Sequence, residues 1–321
     1  MKQKTVKQKI AKPQAAKSRA LRFTVQNETN FMDAGAVIDL LDRASVALRD
    51  SPVRRGCTVR LPRCGRLIAT GDLHDNPFHL ARILRLARLD ESPDHHVNLH
   101  ELIHGENLIN GMDFSHRMIL RAADLVVRYP AQVHPLLANH ELSQMMGTGV
   151  SKGAGDSVIL FNDAVVFTFG DEAEEVSDAL HRFLRAWPLA LITESGVLCA
   201  HSLPAEHAMG VFDPGVLDRE LTDADYEPRT GSAYLMVWGR RHGQAHLDHL
   251  AEMLGVKAFC IGHEHAETGS EPLGTRGMIL NSDHERGAVL VLDLAAEPKP
   301  EEWVGAVRPL SSIGLDSLDA W

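Results

Sequence analysis

The first half of the chain alternates short apolar runs with amphipathic helical segments, and polar side chains follow each run. The runs are Arg66 to Thr70, Val97 to Leu99 and Val133 to Ala138. Between them, leucine and alanine recur at helical spacing after Asn76-Pro77 and after Ser115. This strand–helix order predicts a mostly parallel sheet. The residues that follow the strands are therefore expected to gather at one edge.

Short apolar runs in the second half predict a second sheet packed on the first. These runs are Leu189 to Thr193, Val197 to Ala200, Ala258 to Ile261, Met278 to Leu280 and Ala288 to Leu292. A helix is expected over residues 34–49, and an irregular excursion or small helical cap over residues 145–170. Together they predict an α/β fold, an αββα sandwich of two mixed sheets flanked by helices.

Charge divides the chain into an acidic body and a basic start. Residues 1–22 carry six Lys, two Arg and no acid, so the rest holds 25 basic and 43 acidic residues. We predict a disordered basic tail over 1–22, one domain over 30–300 and a C-terminal extension over 301–321. The acidic body argues against nucleic acid as a partner, since Lys and Arg must neutralise phosphates.

The apolar pattern and the cysteines bear on the compartment. No run of about 18 apolar residues is present, which argues against a membrane span. The chain lacks a charged start followed by an apolar segment, and its four cysteines contain no CxxC pair. These features predict a reduced, cytoplasmic protein.

Five polar segments carry side chains that bind metals. They are Gly71-Asp72-Leu73-His74, His100-Glu101 to Glu106, Asn139-His140-Glu141, Cys199-Ala200-His201 and Gly262-His263-Glu264-His265. Carboxylate, amide and imidazole ligands suit a pair of divalent ions such as Mn, Fe or Zn. Two adjacent cations activate one water molecule and neutralise a phosphate ester, so the segments predict phosphate-ester chemistry.

The order, spacing and context of these segments resemble the calcineurin-like metallophosphoesterases, and within them the serine/threonine protein phosphatases of the PPP type. The resemblance extends over residues 66–293 and includes stretches between the segments, such as Tyr129-Pro130 and Trp187 to Ile192. It implies a hydrolase that cleaves phosphate monoesters with a water molecule activated by two divalent ions, in the calcineurin-like fold.

The resemblance also implies a role for each matching residue. The implied ligands are Asp72, His74 and His265 for the first ion, and Asn139, His201 and His263 for the second. His140 would act as the general acid at the leaving group. Glu141 would support the loop.

The second motif departs from the family pattern Gly-Asp-x-x-Asp-Arg-Gly, whose first Asp bridges both ions. Glu101 follows the strand directly and is the favoured bridging ligand. Glu106 follows a glycine and falls in a similar Gly-x5-Gly frame, so it stays an alternative, and Asp113 is a third candidate. Whether Glu101 or Glu106 is aligned with the first Asp, the second acid and the Arg of the pattern have no matching residue. His104 is a candidate partner that would orient His140.

The missing Arg matters because a guanidinium is the natural clamp for a phosphoryl group. Arg240 and Arg241 resemble a later phosphate-contacting region, and Arg117 is a further candidate. A solvated turn would also explain Arg240-Arg241.

Several functions stay open from the sequence. The leading one is a phosphomonoesterase acting on a phosphorylated substrate, in particular a serine/threonine protein phosphatase. A hydrolase of dinucleoside polyphosphates or other small phosphate esters is the alternative. A phosphatase-like binding module with weak activity would explain the missing Arg. Regulatory partners are not indicated.

Overall fold

The computed structural model describes residues 29–148 and 156–315. The predicted tail over residues 1–22 lies outside these ranges, as do residues 149–155 of the predicted excursion. Within the two ranges, every helix is too short or too polar to cross a bilayer.

Helices and strands alternate along much of the described chain. The helices are α1 (Ala34–Arg49), α2 (Pro77–Ala87), α3 (His116–Arg128), α4 (Asn139–Met146), α5 (Ser157–Phe169), α6 (Ala173–Leu184), α7 (Ser232–Trp238) and α8 (Gln244–Leu254). The strands are β1 (Arg54–Arg55), β2 (Thr58–Leu61), β3 (Arg66–Thr70), β4 (His95–His100), β5 (Val133–Leu136), β6 (Ala190–Thr193), β7 (Val197–Ala200), β8 (Ala258–Ile261), β9 (Ser270–Leu273), β10 (Gly277–Leu280), β11 (Ala288–Asp293) and β12 (Val307–Pro309).

The strands form two mixed sheets. One has five strands in the order β12-β11-β3-β4-β5, and the other has seven in the order β1-β2-β6-β7-β8-β10-β9. Strands β3, β4 and β5 run parallel, while β11 is antiparallel to β3. In the second sheet, β7 is parallel to β8 and antiparallel to β6. The predicted α/β architecture of two mixed sheets flanked by helices is confirmed.

Alternate residues of facing strands fill the space between the sheets. Leu67 and Ala69 of β3 share one apolar cluster with Leu191 of β6 and Cys199 of β7. Ile68, between the first two, belongs instead to the larger cluster that includes the helices. Side chains alternate across a strand, so a strand covered on both faces is apolar throughout. This explains the continuous apolar runs.

Helices α2 and α3 follow from local sequence signals. The side chain of Asn76 accepts from the backbone N–H of His79 at 3.0 Å, and Pro77 occupies the first turn of α2. Helix α3 ends at Arg128, shortly before Pro130, which cannot continue a helix. Both helices pack on the five-stranded sheet.

One predicted strand lies in the other sheet. The run Ala288 to Leu292 forms part of β11, which pairs with β3 rather than with the second sheet. An apolar run marks a buried strand but does not identify its neighbour. Within the segment predicted as an extension, β12 pairs with β11 and lengthens the same sheet.

Several elements were not predicted. Strands β1 and β9 are short edge strands with exposed residues, so they carry little apolar signal. Strand β2 and helices α4, α6, α7 and α8 were also missed. Helix α5 lies in the stretch expected to be an excursion or a helical cap, and the described part of that stretch is largely helical.

Candidate active site

The carboxyl ends of strands from both sheets meet at one edge, and a glycine permits the contact. Asp72 continues β3 past Gly71 and bridges to His100 on one side and to Asn281 on the other. A β-carbon on Gly71 would lie 1.9 Å from the carbonyl oxygen of Leu280, the last residue of β10. Any side chain at position 71 would therefore separate the two sheets where Asp72 sits.

Gly262 allows an equally close approach from the second sheet. A β-carbon there would lie 2.2 Å from Oδ1 of Asp72. The backbone N–H of the next residue, His263, donates to both carboxylate oxygens of Asp72, at 3.0 and 3.1 Å. The loop after β8 of the seven-stranded sheet thus hydrogen-bonds to the carboxylate that follows β3 of the five-stranded sheet.

Three candidate ligands lie in sharp turns just after strand ends. His74, Glu101 and His263 have φ values of 40°, 47° and 65°. This left-handed backbone is unfavourable for residues that carry a β-carbon. Such residues concentrate at functional sites, where the surrounding structure holds them in place. Their presence marks this edge as a candidate site independently of the motifs.

One group of ligand atoms converges around His201, which directly follows β7. Nε2 of His201 is 2.6 Å from Oδ1 of Asn139 and 3.0 Å from Nδ1 of His263. Oε2 of Glu101 lies 3.6 Å from the same nitrogen. Donor atoms that share one ion through bonds of about 2.1 Å lie roughly 3–3.5 Å apart. The spacing therefore suits a common ion, and all four residues are buried.

A second group joins Glu101 to two more histidines. Its Oε2 is 3.7 Å from Nε2 of His74, and its Oε1 is 3.3 Å from Nε2 of His140. Nδ1 of His74 lies 3.1 Å from the carbonyl oxygen of Ile103. Because a carbonyl only accepts, Nδ1 carries a proton, and Nε2 is the nitrogen that faces Glu101. Ligand atoms of these three polar side chains all lie within 4.8 Å of one another.

A third group contains Asp72, His100 and His201, whose ligand atoms also lie within 4.8 Å of one another. Oδ1 of Asp72 is 3.5 Å from Nδ1 of His201. The two nitrogens of His201 thus face different carboxylates, Asp72 and Glu101. This grouping divides the ligands differently from the two sets implied by the resemblance.

Burial controls the protonation of these groups. It raises the pKa of Asp72, against the opposing effects of His74 and of a hydrogen bond with Glu101. Burial lowers the pKa of His100 to about 3. It lowers the pKa of His201 well below the usual range, and the imidazoles around it add to the effect. Both histidines are therefore neutral near pH 7, the form that binds metal.

The donor set fits divalent cations. Oxygen and imidazole ligands without thiolate suit Mn, Fe or Zn. Among the described residues, Nδ1 of His100 and Nδ1 of His201 are buried without a hydrogen-bond partner, which costs free energy unless a bound group satisfies them. The buried carboxyl of Asp72, with its raised pKa, also favours a nearby positive charge.

His104 lies behind His140 and is itself held by an acid. Nδ1 of His104 is 2.7 Å from Oδ2 of Asp113, and both side chains are buried. The other oxygen of Asp113 accepts from the backbone N–H of Ser115 at 2.9 Å. The rings of His104 and His140 have centroids 5.4 Å apart. Asp113 thus lies next to His104, with its two oxygens already engaged.

Glu141 holds the loop that carries Glu101. Its Oε1 accepts from the backbone N–H groups of Leu102 and Ile103 at 2.8 and 3.3 Å. Burial raises the pKa of Glu141 to about 7. These contacts match the supporting role that the sequence suggested.

Two candidate ligands lie apart from these groups. Glu106 is exposed, whereas Glu101 is 2% exposed and surrounded by histidines. His265 is exposed, and its ring centroid is 5.7 Å from that of His284. Neither belongs to a convergent ligand group among the described residues.

The three candidate arginines occupy different surroundings. Nη1 of Arg240 donates to the carbonyl oxygen of His263 at 2.6 Å, and its Nη2 is 3.4 Å from Nδ1 of the same residue. The backbone N–H of Arg241 donates to Glu264 at 2.9 Å. The guanidinium of Arg117 lies over the ring of Phe114 at 4.6 Å. Arg240 is thus the candidate placed against a ligand of the cluster.

Sequence reasoning missed His100 as a candidate ligand and Asp113 as the partner of His104. Alternation along β4 carried a usable signal, because it places His100 on the opposite face from Leu99, toward the second sheet. The Asp113 contact spans an irregular loop, where no periodicity applies.

The sequence profile of the calcineurin-like phosphoesterases matches residues 65–267. The chain belongs to the calcineurin-like phosphoesterase family. It is therefore a phosphoric ester hydrolase, and this family works with divalent metals. No curated protein sequence matches the chain.

Solved structures support the same fold for this calcineurin-like phosphoesterase. One is a protein serine/threonine phosphatase from Saccharomyces cerevisiae with similarity to human phosphatase PP5, at 15% identity and a TM-score of 0.60, covering 81% of this chain and 82% of that one. Another is a cold-active protein-tyrosine phosphatase of a psychrophile, Shewanella sp., at 15% identity and a TM-score of 0.52, covering 74% and 77%. At such identities the likeness is one of fold.

Proposed function

We propose that this phosphoesterase hydrolyses phosphate monoesters on proteins, with water as the nucleophile at a site for two divalent ions. The observation that carries the proposal is the convergence of Asn139, His201 and His263, with donor atoms 2.6 and 3.0 Å apart. The two fold relatives are described as protein phosphatases, which supports a phosphorylated protein as substrate.

The ions would be held by side chains from both sheets. Bound there, Mn, Fe or Zn would lower the pKa of a water molecule and offset the charge of the phosphoryl oxygens. The proposed ligands are Asp72, His74, Glu101, Asn139, His201 and His263. The resemblance also implies His265, which is exposed and packs against His284. Glu101 lies between the groups, because its carboxylate is within 3.7 Å of His74 and 3.6 Å of His201.

His140 is proposed as the general acid. Its Nε2 faces the ligand groups, 3.3 Å from Oε1 of Glu101. We assign to this nitrogen the proton that passes to the departing oxygen, a contribution worth roughly 10²–10⁴-fold. His104, held by Asp113, lies behind the ring and would keep it oriented. This pair would take over from the second acid that the motif lacks.

Arg240 is proposed as the phosphate clamp. Its hydrogen bond to the carbonyl oxygen of His263 fixes the guanidinium beside a proposed ligand. A guanidinium has five N–H groups, so others remain available for phosphoryl oxygens. Arg241 and Arg117 stay candidates for secondary contacts.

The experiment that tests the site compares ligand variants with a matched control. Wild-type protein reconstituted with Mn, Fe or Zn should hold two ions and hydrolyse an aryl phosphate. Asn139→Ala and His263→Ala should each lose bound metal, measured by elemental analysis, and about 10²-fold or more in rate. His249→Ala, at an exposed position on α8, should change neither. Full activity in both ligand variants would contradict the two-ion site.

A substrate panel separates the remaining functions. A protein phosphatase should prefer a phosphopeptide over diadenosine tetraphosphate. The reverse preference would favour a small-ester hydrolase, and binding of a phosphopeptide with negligible turnover would favour a binding module. We also propose a cytoplasmic location, which is supported by four cysteines without a disulfide. Fractionation of cells that express the tagged chain tests the location.

A further inference from the structure

His100 places a buried imidazole where the family motif has glycine. If Glu101 is the carboxylate of the second motif, the residue before it corresponds to the first Gly of Gly-Asp-x-x-Asp-Arg-Gly. His100 is 0% exposed and ends β4. Its backbone bridges to Asp72, a proposed ligand of the first ion. The substitution therefore places an imidazole directly beside the proposed site.

One side of the ring is anchored and the other faces the site. Nε2 of His100 is 2.7 Å from the amide nitrogen of Asn98. Its Nδ1 has no hydrogen-bond partner in the described chain. A β-carbon on Gly262 would lie 3.3 Å from that Nδ1 and 2.2 Å from Oδ1 of Asp72. The space beside the nitrogen thus exists because position 262 has no side chain.

The tautomer that binds metal is available. Oδ1 of Asn98 also lacks a partner among the described residues. A half-turn of this amide would place Oδ1 against Nε2 of His100, which would then carry the ring proton. The lone pair would remain on Nδ1, toward Asp72. Such an outer hydrogen bond is how proteins usually orient a ligating histidine.

We propose that His100 binds the first of the two ions through Nδ1, beside Asp72, in the place that the family pattern gives to His265. The inference rests on the proposed two-ion site. His265 is exposed against His284, whereas ligand atoms of His100, Asp72 and His201 lie within 4.8 Å of one another.

The test compares two histidine variants by metal affinity. His100→Gln keeps a side chain that can hydrogen-bond to Asp72 but lacks the imidazole. We expect it to bind one of two Zn ions about 10–100-fold more weakly by calorimetry. With Co in place of Zn, its visible absorption spectrum should change. His265→Gln should behave as wild type, and so should His96→Gln, which removes a buried histidine from the same strand.

The outcomes separate this inference from the proposed function. If His100→Gln binds two Zn ions with wild-type affinity and has an unchanged Co spectrum, only the proposed role of His100 is overturned. The same follows if His265→Gln shows the loss instead. A wild-type protein that binds no ion would overturn both proposals. Should His100→Gln fail to fold, anomalous diffraction from Zn-loaded wild-type crystals decides, because Nδ1 must lie about 2.1 Å from an ion.

Discussion

Strand β4 buries a histidine near each end, and the two ends satisfy the imidazole in different ways. At the amino end, Nδ1 of His96 lies 3.3 Å from Nε2 of His134, with the rings stacked at 5.4 Å. At the carboxyl end, Nδ1 of His100 has no hydrogen-bond partner within the described ranges and faces Asp72 and His201. Burial lowers the pKa of His96 and of His100 alike.

The difference shows that burial and a lowered pKa do not identify a metal ligand. The imidazoles of His96 and His134 contact each other, so the pair is explained as part of the core. His100 instead combines an unsatisfied nitrogen with a nearby carboxylate and a neighbouring loop that carries proposed ligands. That combination distinguishes a site from a packed histidine.

The largest expected effect concerns Glu101, the acid at the carboxyl end of β4. Glu101→Gln should lower the rate of aryl phosphate hydrolysis by about 10³-fold, because it removes a charge that three histidines contact. Steady-state kinetics with parallel metal analysis measures it. Glu106→Gln, at an exposed position, serves as control and should keep wild-type kinetics. If instead Glu106→Gln is inactive and Glu101→Gln is active, the bridging role moves to Glu106.

The next effect distinguishes a leaving-group acid from a purely structural histidine at the same end. His140→Asn should reduce kcat about 10²–10³-fold on an alkyl phosphate, whose leaving oxygen needs a proton. An aryl phosphate with a good leaving group should lose far less. Plotting log kcat against leaving-group pKa for both proteins measures the difference. Parallel plots would argue against proton donation by His140.

The smallest effect concerns stability at the amino end. Burial lowers the pKa of His96 to about 4, below the unfolded value of about 6.5. A base whose folded pKa is depressed contributes stability above the unfolded pKa, and this is lost as pH falls from about 6.5 toward 4. Between pH 7 and 5, the free energy of unfolding of His96→Gln should therefore fall by about 1–2 kcal/mol less than that of wild type.

Urea unfolding of the metal-free protein at the two pH values measures this change. His95→Gln is the matched control, because His95 is the preceding residue and is only half-buried. The control should lose as much stability as wild type. An equal loss in His96→Gln would show that His96 is protonated as readily in the folded chain as in the unfolded one.

Much of the fold could be predicted because its central strands and helices carry strong local signals. Runs such as Val197 to Ala200 and Ala258 to Ile261 became strands with those bounds. The partner of β11 could not be predicted, since periodicity reports burial and not pairing. The short edge strands β1 and β9 lack enough apolar residues to stand out from loops.

The candidate site was predictable as a set of motifs, but not as a set of contacts. Motif order located Asp72, Asn139, His201 and His263, which the fold brings together. The choice between Glu101 and Glu106 stayed open because the loop after β4 follows no regular spacing. Alternation along β4 indicates which face His100 lies on, but its neighbours there belong to the second sheet and could not be predicted from β4 alone.

The hold of the His263 amide on the carboxylate of Asp72 has a consequence for maturation. Asp72 follows a strand of the five-stranded sheet and His263 follows a strand of the seven-stranded sheet. Neither sheet alone therefore forms the complete site. Before the sheets dock, the group of His74, Glu101 and His140 would lack the proposed ligands His201 and His263, so the chain would bind cations more weakly. Tight binding would report that the sheets had docked. Metal would then bind late in folding. A chelator added during refolding should therefore leave the fold unchanged and give a metal-free enzyme.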